Sequence, residues 1–213
     1  MPCLSAKGVM RQERNRIEAV VALTFFMLAM LVEGLLYAHG ADRCRDYIID
    51  VRSAHTYYFG SNYPYWYGVG QLRQESNCRP DITAFDGGQG ISQMMPATER
   101  DIEKALGELD MYNPEHAIRA QAWYMARLDR QNPDGRLFIN YMFYNSGPGT
   151  VKREARKAAA WDYEAMRSVC SRKVLTLKNG RLLDLCNVGY DYPKRVYKYG
   201  QAYKISYDRR AYW

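Results

Sequence analysis

Two cysteines, Cys170 and Cys186, enclose the strongest local folding signal of the chain. The segment between them, SRKVLTLKNGRLLDL, places Asn179-Gly180 between two stretches of β-prone residues. Because Asn-Gly suits the left-handed backbone of a tight turn, this pattern predicts a β-hairpin. A hairpin brings its two ends together, so a disulfide between Cys170 and Cys186 is the favoured pairing.

The rest of the body has helical signals. Apolar residues recur at helical spacing from residue 65 to residue 76, and Pro96 marks a further helix start. The sequence Asn113-Pro114-Glu115 gives a cap, a proline and an acid at the start of another helix. With 47% hydrophobic and 14% aromatic residues, the chain can build a real core. We therefore predict a mainly α fold with one inserted, disulfide-closed hairpin.

The N-terminus carries a basic flank followed by an apolar run. Arg11, Arg14 and Arg16 precede AVVALTFFMLAMLV, and the small residues Ala38 and Gly40 follow it. This pattern is typical of a secretory signal, and the run is shorter than the roughly 20 residues of a membrane span unless it is extended past Glu33. Residues 1–40 are thus predicted to be either a cleaved signal peptide or a signal anchor helix, and residues 41–213 the exported domain.

The cysteine count agrees with export. Cys3 lies on the non-exported side, which leaves Cys44, Cys78, Cys170 and Cys186. An even number in an exported domain predicts two disulfides, with three alternative connectivities. Since Cys170 and Cys186 are favoured partners, Cys44 and Cys78 pair by elimination. The chain has no CxxC pair and its histidines lack ligand spacing, so no metal or other cofactor is predicted.

The formal net charge of +7 favours an acidic partner, such as nucleic acid, an anionic membrane or an acidic cell-wall polymer. Residues 190–213 interleave tyrosines with lysines and arginines, a composition that also suits single-stranded nucleic acid. Export argues against nucleic acid. The same segment could instead bind an anionic wall or dock in an envelope-spanning machine.

Glu75 lies at the end of a predicted helix, next to a loop with three glycines. The loop also contains a set of apolar residues, Phe85, Ile91, Met94 and Met95. An apolar wall raises the pKa of a carboxyl group and makes it a proton donor near neutral pH. The glycines allow a polymer to approach the backbone, and the Gln93 amide suits sugar hydroxyls. These features are typical of a glycosidase cleft, although an isolated glutamate is more often a solvated surface charge.

Four short signatures follow one another: QES at 74–76, GISQMMPAT at 90–98, FYNSGPG at 143–149 and YPKRVYKY at 192–199. Their order and spacing resemble the lytic transglycosylases with soluble-lytic-transglycosylase-like (SLT) domains, which are related to goose-type lysozyme. The resemblance covers about residues 60–205 and implies a lysozyme-like, mainly helical fold. The chain departs from the family at Ser92, where a methionine is usual, and at Phe143 and Ser146, where alanines are usual.

The resemblance implies a reaction on the glycan strands of peptidoglycan. Glu75 is expected to protonate the oxygen between N-acetylmuramic acid and N-acetylglucosamine, and then to accept the proton of the C6 hydroxyl. The product ends in 1,6-anhydromuramic acid, and no water is consumed. Tyr192 matches the family's tyrosine near the glutamate. The expected substrate-binding positions are Gln93, Tyr144, Asn145, Tyr192, Ser92 and Met94.

Two alternatives remain open from the sequence. Asp86 could position a water for lysozyme-type hydrolysis, although a turn role before the glycines is favoured. A non-catalytic wall-binding or assembly module is the other. We expect a periplasmic protein, released or tethered to the inner membrane by residues about 17–39. The sequence does not choose between a housekeeping role and one in a secretion, conjugation or phage lysis or infection apparatus.

Overall fold

The computed structural model describes residues 42–176, 180 and 182–208, without the side chains of 205–208. The predicted signal or anchor segment, residues 1–40, lies outside this range. Of the helices described, none combines the length and apolar character needed to cross a membrane.

The described residues form eight α-helices and one two-stranded sheet. They follow a 3-10 turn at Arg43–Tyr47 in this order: α1 Ile48–Phe59, α2 Trp66–Ser76, α3 Pro96–Leu106, α4 Pro114–Asp129, α5 Leu137–Ser146, α6 Pro148–Ala158, α7 Tyr163–Ser168, β1 Val174–Thr176, β2 Leu182–Asp184 and α8 Leu185–Asp208. The predicted mainly helical architecture with one small β element is confirmed.

Proline marks the first residue of α3, α4 and α6, where its missing N–H costs no helical hydrogen bond. Asn113 caps α4, since its side-chain oxygen accepts a hydrogen bond from the backbone N–H of Glu115 at 3.0 Å. The predicted start of this helix is therefore confirmed. The helix buries Ile118, Met125 and Leu128, which are 0–1% exposed.

The hairpin and both predicted disulfides are present. Strands β1 and β2 are antiparallel, with Val174 opposite Asp184 and Thr176 opposite Leu182. The Cys170–Cys186 disulfide closes the base of this hairpin, with a Cα–Cα distance of 6.0 Å. A second disulfide, Cys44–Cys78, has a Cα–Cα distance of 5.2 Å. It joins the 3-10 turn to the chain just beyond α2.

Helices α2 and α8 approach each other closely through glycines. A Cβ atom at Gly70 would lie 2.3 Å from the backbone oxygen of Val196 and 2.5 Å from the nitrogen of Gly200. Real Cβ atoms do not come so near, so only glycine permits this contact. The close approach brings Tyr192, on α8, to Glu75 at the end of α2.

Candidate active site

Glu75 lies in the last turn of α2, and the next residue fastens the helix end to the glycine-rich loop. The Ser76 hydroxyl donates a hydrogen bond to the backbone oxygen of Ile91 at 2.8 Å and accepts one from the backbone N–H of Arg79 at 3.0 Å. The helix ends at Asn77, whose φ of 54° is left-handed. The carboxyl group therefore has a fixed position relative to the loop.

Helix α8 supplies the group that holds the Glu75 carboxyl. The hydroxyl of Tyr192 donates a hydrogen bond to Glu75 Oε1, and the Tyr192 side chain is only 1% exposed. From the same helix, Arg195 donates to the side-chain oxygen of Gln74 at 3.1 Å. The fourth sequence signature thus contacts the first.

Burial raises the pKa of the Glu75 carboxyl to about 8. The hydrogen bond from Tyr192 and the charge of Arg195 oppose this rise, whereas the negative charge of Asp86 adds to it. The Glu75 side chain as a whole is half-buried. Its carboxyl group, however, contacts the hydroxyl of the buried Tyr192 and lies near Tyr144. A carboxyl with such a pKa is largely protonated at neutral pH.

The expectation that apolar residues of the loop cover Glu75 is wrong in part. Phe85 is 84% exposed and Met95 is 41% exposed, so neither covers Glu75. Two tyrosines far away in sequence provide the cover instead, since Tyr192 and Tyr144 both lie near enough to Glu75 for its charge to raise their pKa values, after the larger effect of burial. Hydrophobic residues near Glu75 in sequence were a misleading signal, because helix packing decides which rings reach it.

The glycine-rich loop is held by its own contacts. A Cβ atom at Gly90 would lie 1.7 Å from the backbone oxygen of Met111, so this glycine permits contact between two protein segments rather than approach of a polymer. Gln89 and Met94 form a backbone bridge, with two hydrogen bonds of 3.0 Å. The side-chain amide of Gln93 donates to the backbone oxygen of Gly90 at 2.8 Å. Its donor is therefore used within the loop.

Ser92 and Met94 face the core. Ser92 is 0% exposed and Met94 is 2% exposed, because the left-handed backbone of Gln93, with φ of 50°, reverses the chain between them. This burial contradicts the expectation that these two side chains line an open cleft. The backbone of Ser92 still contributes to the site, since its oxygen accepts a hydrogen bond from the Tyr144 hydroxyl at 2.9 Å.

Two further candidates lie at the surface. Asn145 is exposed at the end of α5, next to Tyr144. Asp86 is exposed and accepts a hydrogen bond from the backbone N–H of Gly88 at 3.3 Å. Asp86 therefore has the turn role that its sequence context favoured. Across residues 42–176, 180 and 182–208, no three histidine, cysteine or acidic side chains are grouped as metal ligands.

A family comparison covers the segment that carries Glu75. Residues 69–166 match the model of the transglycosylase SLT domain. These residues form an SLT domain. The match includes the first three sequence signatures and ends before the hairpin and α8. No curated protein matches the sequence.

The structure containing the SLT domain is similar to two solved lytic transglycosylases. For the 70 kDa soluble lytic transglycosylase Slt70 from Escherichia coli the TM-score is 0.56 at 22% identity, over 72% of this chain. For an inactive mutant of lytic transglycosylase Slt from Pseudomonas aeruginosa it is 0.54 at 19% identity, over 80% of this chain. The match spans 24% of the length of each. At these identities the likeness establishes a shared fold, and it extends beyond the SLT domain itself.

Proposed function

We propose that this protein is a peptidoglycan lytic transglycosylase, in which Glu75 acts first as an acid and then as a base. The observation that carries the proposal is the raised pKa of a carboxyl group that Tyr192 holds at the end of α2, inside an SLT domain. A proton donor of this kind is what cleavage of a glycosidic bond requires near neutral pH.

In the first step, Glu75 gives its proton to the glycosidic oxygen between N-acetylmuramic acid and N-acetylglucosamine. The C1–O bond breaks and the N-acetylglucosamine leaves as an alcohol. The substrate's own acetamido group stabilises the positive charge that forms at C1, which replaces the second carboxylate of most glycosidases. Because Tyr192 occupies Oε1, the proton is delivered from Oε2.

In the second step, the ionised Glu75 takes the proton of the C6 hydroxyl while this oxygen bonds to C1. The product is a 1,6-anhydro sugar, and the enzyme returns to its protonated state without consuming water. The C6 hydroxyl is held in the same molecule as C1, which gives it a high effective concentration. The P. aeruginosa Slt structure supports an essential carboxyl, since that inactive mutant has glutamine in place of a glutamate.

Sugar contacts are assigned to the polar groups around Glu75. Asn145 is exposed and close in sequence to Tyr144, so we propose that its amide binds a sugar substituent. Gln93 is half-buried and uses its amide donor in the loop, which leaves its oxygen as the acceptor for a sugar hydroxyl. Two disulfides are typical of an oxidising compartment, and we place the reaction in the periplasm.

One observation favours a second candidate, a goose-type hydrolase. Asp86 lies near enough to Glu75 to raise the pKa of that carboxyl group, and it is exposed to solvent. A carboxylate in such a place can activate a water molecule to attack C1. We rank this reaction second because Asp86 accepts a hydrogen bond within its own turn.

The experiment that separates these functions is mass spectrometry of muropeptides after digestion of purified peptidoglycan. A lytic transglycosylase yields products that lack one water relative to hydrolysis products, end in 1,6-anhydromuramic acid and resist borohydride. Products with reducing ends identify a hydrolase, and Asp86→Asn should then abolish them. If wild-type protein and Glu75→Gln both leave the peptidoglycan intact, the protein is a binding module.

A further inference from the structure

Two glutamines are fully buried near Glu75, and neither takes part in the proton transfers of the proposed reaction. Gln71 lies on α2 one helical turn before Glu75, and Gln121 lies on α4; both are 0% exposed. The Gln121 side-chain nitrogen donates to the side-chain oxygen of Gln71 at 2.8 Å and to the backbone oxygen of Gly68 at 3.4 Å. Buried amides are costly unless they are hydrogen-bonded, so their presence in an apolar core indicates a specific role.

The Gly68 carbonyl sets the direction of this pair. A backbone oxygen can only accept a hydrogen bond, so it must face the NH2 end of the Gln121 amide. The same NH2 end donates to Oε1 of Gln71, which turns Nε2 of Gln71 away from Gln121. The two amide orientations, which are otherwise interchangeable, are therefore fixed by one backbone atom.

The hydroxyl of Tyr192 lies near enough to the Gln71 side chain for that side chain to affect its pKa. The Nε2 atom of Gln71 is buried and finds no hydrogen-bond partner among the residues that the structure describes, which leaves its protons available. Burial raises the pKa of Tyr192 well above 10, and a hydrogen bond from Gln71 opposes that rise, as expected of a donor. If Gln71 donates to the oxygen of Tyr192, the proton of that hydroxyl is directed to Glu75, whose Oε1 it contacts.

A protonated carboxyl group that accepts a hydrogen bond on one oxygen carries its own proton on the other. With Tyr192 donating to Oε1, the proton of Glu75 resides on Oε2. We propose that Gln121 and Gln71 are positioning residues that act through Tyr192 to keep the Glu75 proton on the oxygen that serves the substrate. This inference rests on the proposed function in one respect, namely that Glu75 is the acid of the reaction.

The test is a pH–rate profile of Gln71→Leu on purified peptidoglycan, together with the melting temperature. The alkaline limb, where Glu75 loses its proton, should move up by about 0.5–1 pH unit, the effect of weakening one hydrogen bond to a carboxylate. We expect kcat to fall about 10-fold with little change in KM, since Gln71 does not contact substrate. Gln121→Leu should cause a smaller shift in the same direction.

Two further variants separate positioning from simple destabilisation. In a Tyr192→Phe background, Gln71→Leu should shift the alkaline limb no further, because the hydroxyl through which Gln71 acts on Glu75 is already absent. Asn140→Leu removes another fully buried amide, one that bonds to Asn132 and Asp129, and should lower the melting temperature without moving the limb. If Gln71→Leu behaves like Asn140→Leu, the glutamines have a structural role only and the proposal is overturned.

A titration that needs no substrate keeps this test independent of the proposed function. Carbon NMR of the glutamate side chains follows the Glu75 carboxyl, which Glu75→Gln identifies. An upward shift of its midpoint in Gln71→Leu supports the action of Gln71 on Glu75 through Tyr192. It does so even if the wild-type protein releases no muropeptides, an outcome that would count against the proposed function alone. An unchanged midpoint overturns the positioning role of Gln71 and Gln121 even if the wild-type protein is active.

Discussion

At Glu75, the property that suits a proton donor also destabilises the folded protein. Burial keeps the carboxyl protonated up to a pKa of about 8, from an ordinary value of 4.5. In the unfolded chain the same group ionises freely above pH 4.5. As the pH rises from 4.5 to 8, the unfolded state therefore gains a favourable ionisation that the folded state lacks, and the free energy of unfolding falls.

The first prediction concerns Glu75→Gln, which keeps the shape of the side chain but cannot titrate. Its activity on peptidoglycan should fall by at least about 10²–10⁴-fold, the usual contribution of general acid–base catalysis. Its free energy of unfolding should exceed that of the wild type by about 1–3 kcal/mol at pH 8, after allowance for partial solvent exposure, and by little at pH 5. Urea titrations at both pH values check this. Equal losses of stability in both proteins between pH 5 and pH 8 would refute the raised pKa.

Sequence reasoning found Glu75 and failed at its neighbours for a physical reason. The acid could be recognised from a short motif at a helix end. Ser92 and Met94 were assigned to the cleft but are buried, because the left-handed backbone at Gln93 turns them inward. This conformation is rare for a residue other than glycine, so it could not be foreseen from the sequence. Tyr192 was found only through family resemblance, since no local pattern links positions 117 residues apart.

Between elements, a buried ion pair attaches the hairpin to the helical body. At the base of β1, the Arg172 guanidinium donates to Glu154 of α6 at 2.8 and 2.7 Å. Arg172 also donates to the hydroxyl of Ser146 at 2.7 Å, at the end of α5, and Tyr190 of α8 donates to Glu154 at 2.8 Å. The hairpin is thereby fixed next to the helix end that carries Asn145. None of these pairings could be predicted from the sequence, because they depend on packing among four elements.

The second prediction is that Arg172→Met lowers the free energy of unfolding by about 3–5 kcal/mol, because Glu154, 4% exposed, is left as a buried charge without its partner. Adding Glu154→Met should restore much of this loss, since two apolar side chains replace the pair. Arg153→Met removes a neighbouring exposed charge and serves as the control. Chemical denaturation gives the free energy of unfolding of the wild type, the two single variants and the double variant. An Arg172→Met protein as stable as Arg153→Met would show that the ion pair contributes nothing to stability.

The third prediction distinguishes the two disulfides. Replacing both cysteines of a bridge by serine should cost about 3 kcal/mol for Cys170–Cys186, which spans 16 residues, and about 4 kcal/mol for Cys44–Cys78, which spans 34. The Cys44–Cys78 bridge ends three residues after Glu75, so its loss should also lower activity well below the melting temperature. Loss of the hairpin bridge should leave activity closer to wild type. Thermal denaturation checks the losses of stability, and muropeptide release checks the activities. Equal activities of the two disulfide variants would contradict the prediction that only the Cys44–Cys78 bridge supports the active site.

At the scale of the whole molecule, the contact of α2 with α8 assembles the site. Helical spacing and proline positions predicted α2, α3 and α4, and the apolar residues Val69, Leu72 and Ile102 of α2 and α3 are all 0% exposed. The sequence did not predict which helices pack together. Gly70 and Gly200 become meaningful only in the structure, where each removes a side chain that would separate the two backbones.

A second buried titratable group, His55, opposes Glu75 in its effect on stability. It stacks on Tyr63 with ring centroids 5.2 Å apart, and its Nδ1 donates to the backbone oxygen of Val51 at 2.9 Å. Burial lowers its pKa from 6.5 to about 4. In the unfolded chain His55 takes up a proton below pH 6.5, whereas in the folded protein it stays neutral to about pH 4. Its contribution to stability is complete above pH 6.5 and is lost as the pH falls toward 4.

The fourth prediction follows from these two opposite slopes. His55 removes up to about 3 kcal/mol as the pH falls from 6.5 to 4, and Glu75 removes stability as the pH rises from 4.5 to 8, so the free energy of unfolding should be greatest near about pH 5–6. Asp101 and Asp134, whose pKa values are lowered by hydrogen bonds from basic side chains, titrate below 3.8 and do not shape this range. Urea titrations across the range should show His55→Gln flattening the acid side and Glu75→Gln the alkaline side. A maximum that stays in place in both variants would show that neither buried group governs the pH dependence.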